Sequence, residues 1–589
     1  MGTGATSQAQ AVVMTSPTLL EAHWRLAAPD ETLVQQLAGA LRVELLVARL
    51  LINRGITGAD QAAQYLSPRL EDLHDPYTLP DVAKAVDRLA QAIQSGELIF
   101  VHGDYDADGV TSAALCLRAL TGLGANVVGF VPRRTDGYDF QPYGADKAKE
   151  LGAGLILTAD CGVCALEAVA HANSLGIDVI VTDHHRPGKT LPDAVAVVNP
   201  YRDDATVLFR DLCGAGVAFK VLDALTARLM PTHQSAFRRN FVDLVALGTV
   251  ADASTLAGEN RILVLHGLAM LATGKKTGVK ALLARAGLEG RELTAENIGF
   301  QLGPRLNAAG RMEDADLAYR LLITRDPDEA EQLVAQIESL NDLRRSETER
   351  VVQEAMAEAL TQDDRRVLVL ARPRWGKGLV GIVAGRIAET LRRPTLILSY
   401  DEKTDSYGGS GRTYGSFSLL DALHACADLL GRYGGHSASA GVNVSAANLE
   451  AFRERIHDVA EGLISDEPEP ITLEIDAELA DTRLLTQSLV ESLQALAPFG
   501  RDNPDPVFLT CGGIVTEAKR VGKDNNTAIF QIKLPGRQWP TKAVRFKSGD
   551  WTERVQPGER VDIVYSPKLN EWNGKVSVEL TLLDLRPSV

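Results

Sequence analysis

The stretch LIFVHGDYDADGVTSAALCLRALTGLG, residues 98–124, joins a short apolar run to an acidic, glycine-bounded turn and then to a segment of helical length. Similar β-branched runs follow, and Ala- and Leu-rich segments of helical length separate several of them. The runs are LIFV (98–101), VVGFV (127–131), LIL (155–157), VIVT (179–182) and AVAVV (194–198). Apolar strands that alternate with helices are typical of a parallel sheet with crossover helices. The sequence therefore predicts an α/β fold for this region.

Three carboxylates stand within five residues of the acidic turn, at Asp104, Asp106 and Asp108. Like charges held so close disfavour each other's ionisation. One or two divalent cations would relieve that repulsion. A lone DxD pattern is most often a solvated turn, so the interpretation depends on further candidate ligands elsewhere in the chain.

Such ligands follow later apolar runs. Asp160 follows the third run, Asp183, His184 and His185 follow the fourth, and Asp252 follows the apolar stretch VALGTV. Because ligands of doubly wound sheets gather at the carboxyl ends of the strands, we expect these side chains to meet at one edge. Carboxylates with one or two imidazoles suit Mn²⁺ or Mg²⁺, and the number of ligands is sufficient for two ions.

At 589 residues the chain is too long for a single core. The charged stretch from Pro327 to Leu360 keeps helical periodicity, and short alternating segments beyond DEPEP (466–470) are typical of a small β-barrel. The pattern predicts an N-terminal helical segment (1–80), a catalytic α/β domain (81–320), a long connecting helix (321–362), a second α/β domain (363–466) and an OB-like barrel (467–589).

The composition, 45% hydrophobic and 23% charged, is that of a soluble globular protein, and no stretch approaches the roughly 18 apolar residues that span a bilayer. The N-terminus lacks the pattern of a signal peptide, and the six cysteines make no disulfide framework, so a cytoplasmic location is expected. The net charge is −16, but residues 499–589 carry 14 Lys and Arg against 11 Asp and Glu. The overall charge therefore permits a nucleic-acid partner without indicating one.

Four motifs in order resemble those of the DHH phosphoesterase superfamily. They are GDYDADG (103–109), TADCG (158–162), VTDHH (181–185) and GTVADAS (248–254). In addition, GGHSASAG (434–441) resembles the glycine-rich motif of the DHH-associated domain that follows the catalytic domain in this superfamily.

A narrower resemblance, to the bacterial single-strand-specific exonucleases of the superfamily, rests on other segments. These are GPRLNAAGRM (303–312), the helical NDLRRSETER (341–350) and the β-rich C-terminal segment. The resemblance extends from about residue 20 to the end of the chain.

The resemblance implies ligands for two metal ions. One ion would be held by Asp108, Asp160, His184 and Asp252, with Asp160 bridging to the other ion. The second would be held by Asp106 and Asp160 together with either Asp104 or His102. The residues leave that last alternative open.

Two neighbours of these ligands have other implied roles. His185 would contact the scissile phosphate or assist proton transfer, and Asp183 would orient a histidine through a hydrogen bond. The residues predicted to act in catalysis are therefore Asp106, Asp108, Asp160, His184, His185 and Asp252.

Candidate substrate-binding residues lie outside the acidic motifs. In GGSGRTYGS (408–416), glycines let backbone N–H groups approach an anion, and an arginine can pair with a phosphate, although such a run is often only a loop between strands. Of the neighbours Arg133 and Arg134, the second is included. The predicted set is Arg134, Arg305, Arg311, Ser410, Arg412, Gly435 and His436.

The barrel segment mixes basic and aromatic residues, a combination that can bind single-stranded nucleic acid by charge and stacking. The basic residues are Lys519, Arg520, Lys523, Arg545 and Lys547, and the aromatic residues are Phe530, Trp539, Phe546, Trp551 and Trp572. Most of the aromatic residues are expected in the core, and at most one or two are expected to stack on bases.

The expected function is that of a metal-dependent exonuclease on single-stranded DNA. The resemblance further implies 5′→3′ release of mononucleotides, a role in recombination and repair, and a single-strand-binding protein and a recombination helicase as partners of a monomeric enzyme. Alternatives are an oligonucleotide or cyclic-dinucleotide phosphodiesterase, an inorganic pyrophosphatase and a non-catalytic replication scaffold. The barrel disfavours the other enzymes, and the complete set of ligands disfavours the scaffold.

Overall fold

The computed structural model describes residues 22–137, 139–464, 472–522, 525–572 and 574–588, without the side chain of Trp572. These residues divide into two compact units. The first contains 64–464 and 496–504, and the second contains 22–63, 472–495 and 505–588. The boundary predicted at DEPEP lies outside the described residues, as does the N-terminal stretch for which the sequence predicts no signal peptide.

The α-helices are numbered in chain order. They are α1 (Glu31–Leu41), α2 (Leu45–Asn53), α3 (Ala59–Leu66), α4 (Val82–Ser95), α5 (Ala107–Gly122), α6 (Pro142–Glu150), α7 (Leu166–Ser174), α8 (Gly214–Leu229), α9 (Gln234–Ala251), α10 (Gly258–Ala272), α11 (Thr277–Arg285), α12 (Ala295–Asn297), α13 (Gly303–Met312), α14 (Asp316–Ile323), α15 (Pro327–Ala359), α16 (Val380–Leu391), α17 (Leu419–Ala425), α18 (Leu449–Glu461) and α19 (Gln487–Leu493).

The strands follow the same order. They are β1 (His23–Leu26), β2 (Ile99–His102), β3 (Val127–Phe130), β4 (Leu155–Ala159), β5 (Asp178–Thr182), β6 (Ala196–Val198), β7 (Leu368–Pro373), β8 (Thr395–Asp401), β9 (Ser406–Arg412), β10 (Leu430–Gly435), β11 (Ser439–Ser445), β12 (Thr472–Ile475), β13 (Ala477–Glu478), β14 (Phe508–Val521), β15 (Thr527–Lys533), β16 (Thr541–Arg545), β17 (Arg560–Trp572) and β18 (Lys575–Pro587).

A parallel five-stranded sheet forms the centre of the first α/β domain, as predicted. Its order is β3-β2-β4-β5-β6. Alternate strand residues enter two cores: Val101 and Leu157 pack with residues of α4, α5, α8 and α9, whereas Phe100 and Ile156 pack with residues of α6 and α7. Because both faces of the sheet are covered, the strands are continuous apolar runs in the sequence.

Helix α15 connects the two α/β domains of the first unit, which confirms the predicted connecting helix. It begins after Asp326, whose side chain accepts the N–H of Asp328 at 2.9 Å. Near its start Leu333 packs into the core of the first domain, and near its end Val351 packs into a core of the second. The helix therefore contributes apolar residues to both domains.

The second α/β domain contains a mixed sheet in the order β10-β11-β9-β8-β7, in which β7 and β8 are parallel. The glycine-rich run 408–416, which alone would most often be a loop, begins inside strand β9 between β8 and β11. A Cβ at Gly409 would lie 2.0 Å from the carbonyl oxygen of Ile397. The glycine therefore permits a close approach of neighbouring strands.

The second unit contains the C-terminal barrel, which confirms that prediction. Its strands follow the order β13-β14-β15-β16-β18-β17, and an additional pairing of β14 with β17 closes the sheet. Strand β1 lies in a segment predicted to be helical, and it pairs in parallel with β12. Its partner is very distant in the sequence, so local periodicity could not reveal the strand.

Within the described ranges, no helix is both long enough and apolar enough to cross a bilayer.

Candidate active site

The carboxyl ends of three neighbouring strands bring the acidic motifs together. Strand β4 lies between β2 and β5, so the acidic turn, Asp160 and Asp183 reach one edge of the sheet. Asp252 arrives differently from the expectation: VALGTV is helical, and Asp252 caps the C-terminus of α9. Three strand ends and one helix end therefore form the site.

Hydrogen bonds and a close approach hold the acidic turn in place. Asp106 is the N-cap of α5, and its Oδ1 accepts the N–H of Gly109 at 3.0 Å. A Cβ at Gly109 would lie 2.6 Å from Cα of Asp104, so the turn can close this tightly only with glycine there. From α13, Asn307 Oδ1 accepts the N–H of Ala107 at 3.0 Å. The cap by Asp106 and the bond from Asn307 thus hold the start of α5, and Gly109 lets Asp104 pack closely against it.

Asp108 is buried against the N-terminus of α8. Its Oδ2 accepts the N–H of Gly214 at 2.7 Å, and its Oδ1 accepts that of Ala215 at 3.0 Å. A Cβ at Gly214 would lie 2.3 Å from Oδ1 of Asp160, and one at Gly248 would lie 2.4 Å from Oδ1 of Asp108. Two glycines therefore leave the space in which these carboxylates lie side by side.

His184 belongs to two groups of candidate ligands. Its Nε2 lies 3.2 Å from Oδ1 of Asp160 and 3.8 Å from Oδ2 of Asp108. Asp108, His184 and Asp252 offer ligand atoms within 4.8 Å of one another, and so do Asp160, His184 and His185. Oxygen donors with imidazole nitrogen suit a divalent cation such as Mn²⁺.

Burial and crowding raise the pKa of the carboxyl groups. Burial, followed by the charge of Asp106, raises the pKa of Asp104 to about 8. Burial, followed by the charge of Asp252, raises the pKa of Asp108 to about 6. Burial and then the charge of Asp108 raise the pKa of Asp160 well above its ordinary value. The site therefore concentrates more negative charge than its surroundings offset.

Two buried atoms at the centre, Oδ1 of Asp160 and Nε2 of His184, lie 3.2 Å apart but are not aligned for a hydrogen bond with each other, and neither has another hydrogen-bond partner among the described residues. Buried polar atoms are normally satisfied, so such atoms call for an explanation. Divalent cations would take both atoms as ligands and would offset the carboxylate charge. The donor set and its electrostatics fit such ions.

Asp183 holds the ring of His185. Its Oδ1 lies 2.8 Å from Nδ1 of His185 and its Oδ2 accepts the N–H of Val163 at 2.9 Å. Burial is the largest single influence and raises the pKa of Asp183, but the hydrogen bonds with His185 and the charges of His185 and His184 together outweigh it, and the pKa is lowered. Burial lowers the pKa of His185, but the bond to Asp183 and nearby carboxylates raise it to about 10. The placement suits a carboxylate that orients a histidine.

The alternatives Asp104 and His102 lie in different surroundings. Asp104 is buried within the acidic turn. The His102 ring packs edge-on against Phe130 and Phe140, with centroids 5.4 and 5.0 Å apart, and a Cβ at Gly144 would lie 3.0 Å from its Nε2. Burial lowers the pKa of His102 to about 4. His102 is therefore a neutral, aromatic-packed ring.

A cavity of about 440 Å³ lies between the two α/β domains of the first unit. It is lined by four predicted substrate-binding residues, Arg134, Arg311, Ser410 and Arg412, and by Lys377. Arg412 Nη1 donates to Oγ of Ser410 at 2.9 Å. Burial lowers the pKa of Arg311, to about 10, and that of Arg412. Four cationic side chains around one cavity suit an anion such as a phosphate.

Three other predicted substrate-binding residues do not line this cavity. Arg305 is buried, and its guanidinium donates to both carboxylate oxygens of Glu338 at 2.6 and 3.2 Å. Gly435 and His436 lie at the exposed turn between β10 and β11, where the His436 N–H donates to the Ser439 carbonyl. A buried guanidinium requires an acidic partner, and the motif around Arg305 does not reveal one.

Several supporting residues were not predicted. Lys377 lines the cavity, and Asn307 bonds to the acidic turn. Asp139 Oδ1 accepts the N–H of Gly162 at 2.6 Å, just beyond Asp160. Lys377 stands between two glycines and Asn307 lies inside the GPRLNAAGRM motif, so both offered a weak signal. Asp139 offered none, because its partner is distant in the sequence.

In the barrel unit, two of the predicted aromatic residues are buried and two are exposed. Phe530 and Trp551 are buried, whereas Trp539 and Phe546 are 73% and 62% exposed. The side chain of Trp572 lies outside the described residues. The expectation that most aromatic residues belong to the core is met only for Phe530 and Trp551.

The basic residues of the barrel are partly engaged by other side chains. The Arg545 guanidinium lies 4.6 Å from the ring centroid of Trp551, and Arg520 is bonded to Glu553. Lys523 lies outside the described residues. The two exposed aromatic residues are therefore the clearer candidates for contact with bases.

Three family models match the chain in order. They are the DHH family, N-terminal domain (98–249), the DHHA1 domain (364–462) and the RecJ OB domain (475–584). Together they cover the parallel-sheet domain, the second α/β domain and the barrel.

Curated relatives and solved structures match over most of the chain. The single-stranded-DNA-specific exonuclease RecJ of Bacillus subtilis is 35% identical over 95% of this chain and 70% of its own length. The protein of the same name from Salmonella typhimurium is 33% identical over 92% and 96%. The crystal structure of Thermus thermophilus RecJ with Mn²⁺ has a TM-score of 0.81 at 32% identity, covering 96% of this chain and 80% of that one.

Proposed function

Since the chain belongs to the RecJ family of single-stranded-DNA-specific exonucleases, we propose that it hydrolyses phosphodiester bonds of single-stranded DNA in a metal-dependent reaction. The observation that carries the proposal is the pair of ligand groups sharing His184 in the same compact unit as an arginine-lined cavity. The ligand groups supply sites for divalent ions, and the arginine-lined cavity supplies a site for a phosphate.

We propose Asp108, Asp160, His184 and Asp252 as ligands of one ion, and Asp104, Asp106 and Asp160 as ligands of the other. Asp104 is preferred to His102, because Asp104 lies close enough to Asp106 for that charge to raise its pKa, whereas the His102 ring is packed among aromatic rings. Mn²⁺ and Mg²⁺ both suit these donors. When bound, two such ions supply Lewis-acid stabilisation of the phosphate and an activated water.

The other residues of the site position the substrate and its protons. His185, whose Nδ1 is held by Asp183, presents its remaining ring nitrogen to a phosphate oxygen or to a proton in transfer. Gly214 and Gly248 keep the ligand carboxylates within reach of one another. The protein thereby fixes the geometry before the substrate arrives.

Arg134, Arg311, Ser410, Arg412 and Lys377 would hold the terminal phosphate of the strand. A cationic cavity of this kind favours a phosphate monoester, which carries more charge than an internal diester. We propose that this is the 5′-phosphate, with 5′→3′ release of mononucleotides, as the sequence resemblance implies. Within the other unit, Trp539 and Phe546 would stack on bases of the same strand.

A role in recombination and repair accompanies this activity, as the family resemblance implies. We also propose a cytoplasmic monomer that works with a single-strand-binding protein and a recombination helicase. Sedimentation of the chain alone and with each candidate partner tests the oligomeric state and the interactions.

Digestion of a long single strand labelled at either end tests the main proposal. With Mn²⁺ or Mg²⁺, label should leave the 5′ end first, and chelation or Asp160→Asn should abolish its release. Asp146→Asn, which changes an exposed carboxylate bonded to His171 in the same domain, serves as the matched control. Activity that survives chelation would contradict the role of the metal, and earlier release from the 3′ end would contradict the polarity.

The same assay with a dinucleotide separates the alternative function. An oligonucleotide phosphodiesterase would turn over the dinucleotide in preference to the long strand. The proposed exonuclease should prefer the long strand.

A further inference from the structure

Tyr105 stands between Asp104 and Asp106 in the acidic turn, and the proposed chemistry assigns it no role. Its side chain is buried, and its ring faces the guanidinium of Arg134, whose Cζ lies 4.2 Å from the ring centroid. A guanidinium over a tyrosine face is attracted by the ring, and the attraction is stronger where the contact is partly withdrawn from water, as it is between the buried Tyr105 ring and the half-buried Arg134. Tyr105 thus connects the acidic turn to an arginine of the cavity.

Arg134 needs such a contact, because the cavity concentrates positive charge. Arg311 and Arg412 line the same cavity, and the described residues place no carboxylate in an ion pair with Arg134. Its neighbour Arg133 shows the contrast, since its Nε lies 2.8 Å from Asp314. Arg134 instead contacts the Tyr105 ring and the Gly310 carbonyl, which accepts from its Nε at 3.2 Å.

The backbone around Tyr105 is held from the same side. Helix α13 lies so close that a Cβ at Gly310 would be 2.1 Å from the carbonyl oxygen of Tyr105. Two other residues of α13 act nearby: Asn307 bonds to the N–H of Ala107, and Arg311 lines the cavity. The acidic turn, α13 and Arg134 therefore pack as one block.

We propose that Tyr105 is a positioning residue that fixes Arg134, and through it the terminal phosphate, relative to the carboxylates beside it in the sequence. The inference rests on the proposed function and deepens it. Asp104 and Asp106 flank Tyr105, so the ring sets the separation between the phosphate cavity and the ligand carboxylates.

Kinetics on two matched substrates test the proposal: one single strand with a 5′-phosphate and the same strand with a 5′-hydroxyl. Tyr105→Leu removes the ring face and should raise KM for the phosphorylated strand on the order of tenfold, the scale of a cation–π contact on a buried ring. KM for the hydroxyl strand should change little. Tyr105→Phe keeps the ring face and should keep the difference in KM between the two strands.

A double-mutant cycle separates this role from a general effect on folding. If Tyr105 acts through Arg134, then Tyr105→Leu should have almost no further effect on KM in an Arg134→Ala background. Equal effects of Tyr105→Leu in both backgrounds, or equal effects on the two substrates, would overturn the inference. Should Tyr105→Leu fail to fold, Arg134→Lys tests the same contact, because an ammonium keeps the charge and loses the planar stacking.

Failure of the proposed function would look different. If the unchanged protein has the same KM for the 5′-phosphorylated and the 5′-hydroxyl strand, the role of the cavity in binding the terminal phosphate would be contradicted. A protein that distinguishes them, but does so equally well with Tyr105→Leu, would contradict only the positioning role of Tyr105.

Discussion

Asp160 combines two unfavourable features at one residue. Its φ of 68° lies in the left-handed region, which non-glycine residues rarely adopt and which aspartate and asparagine tolerate best. Its carboxylate is also buried beside Asp108. Backbone strain and like-charge repulsion persist where function requires them, and a bound cation would offset the second.

Asp160→Asn should therefore separate stability from activity. Asparagine keeps the backbone conformation and replaces a carboxyl group whose ionisation the crowded site opposes, so the metal-free protein should melt at the same temperature or higher. Nuclease activity should fall at least about a thousandfold, because metal catalysis contributes several kcal/mol. Thermal melts with and without Mn²⁺ measure the first effect, and the variant should lose the stabilisation that the ion gives. A variant that melts lower without metal would contradict this account of the charge crowding.

Gly214→Ala should impair metal binding by a steric effect alone, without changing any ligand. The added Cβ would lie 2.3 Å from Oδ1 of Asp160 and would displace that carboxylate. Gly267→Ala is the matched control, because its Cβ would meet Cβ of Ala246 at 2.4 Å within the helical core of the same domain. Both variants should lose stability, but only Gly214→Ala should also lose Mn²⁺ affinity in calorimetry. Equal Mn²⁺ affinity in the two variants would contradict the role of Gly214.

Some residue roles could not be predicted from the motifs that contain them. Arg305 and Arg311 stand six residues apart in GPRLNAAGRM, and the sequence offers no reason to separate them. In the structure Arg311 lines the cavity, whereas Arg305 pairs with Glu338 of α15. The difference depends on which neighbour each face of α13 meets, which is a tertiary property.

At the scale of elements, the strands of the parallel sheet were predictable because both faces are buried and the apolar runs are continuous. The origin of Asp252 was harder to predict. An apolar stretch such as VALGTV has the same composition as a buried strand, and it is the last turn and a half of α9. The residue still reaches the site, because a helix end can lie at the same sheet edge as the strand ends.

The pairing of α13 with α15 yields a prediction about Arg305. Arg305→Ala would remove both hydrogen bonds to Glu338 and leave only Arg285, whose Nε lies 4.0 Å from Oε2 of Glu338, so the urea midpoint should fall by the equivalent of about 2 kcal/mol. KM for a 5′-phosphorylated strand should stay within about twofold, the change expected when no substrate contact is lost. Arg311→Ala serves as the comparison and should raise KM. If Arg305→Ala instead raises KM and leaves the urea midpoint unchanged, the arginine binds substrate after all.

At the scale of the whole molecule, the fold class and the order of domains could be predicted, because the change of hydrophobic periodicity along the chain marks each domain. The arginine-lined cavity could not. It joins Arg134 and Arg311 of one domain with Ser410 and Arg412 of another, and no local pattern reports the distance between domains. Net charge was equally uninformative, because −16 over the chain conceals local concentrations of positive charge.

The barrel leads to a prediction on affinity for long strands. Trp539 and Phe546 are exposed at opposite ends of β16, and five strand residues span roughly 17 Å, a few nucleotides of single strand. Each of Trp539→Ala and Phe546→Ala should weaken binding about 5- to 150-fold, the range for loss of one stacked base. Leu484→Ala, which truncates an exposed aliphatic residue of the same unit, is the matched control and should bind normally.

The salt dependence of the same binding shows whether these aromatic residues stack. Stacking releases no counterions, whereas contacts to phosphates do, so the slope of log affinity against log salt should be the same in Trp539→Ala, Phe546→Ala and the unchanged protein. Arg520→Ala is the contrasting variant. If the Arg520 guanidinium leaves Glu553 to contact a phosphate, its loss should make log affinity less dependent on log salt. Fluorescence anisotropy of a labelled long strand at several salt concentrations measures both quantities. Turnover of a dinucleotide should be unaffected in every barrel variant, because so short a substrate is held at the metal site. Loss of that turnover would show that the substitutions impair folding rather than binding of the strand.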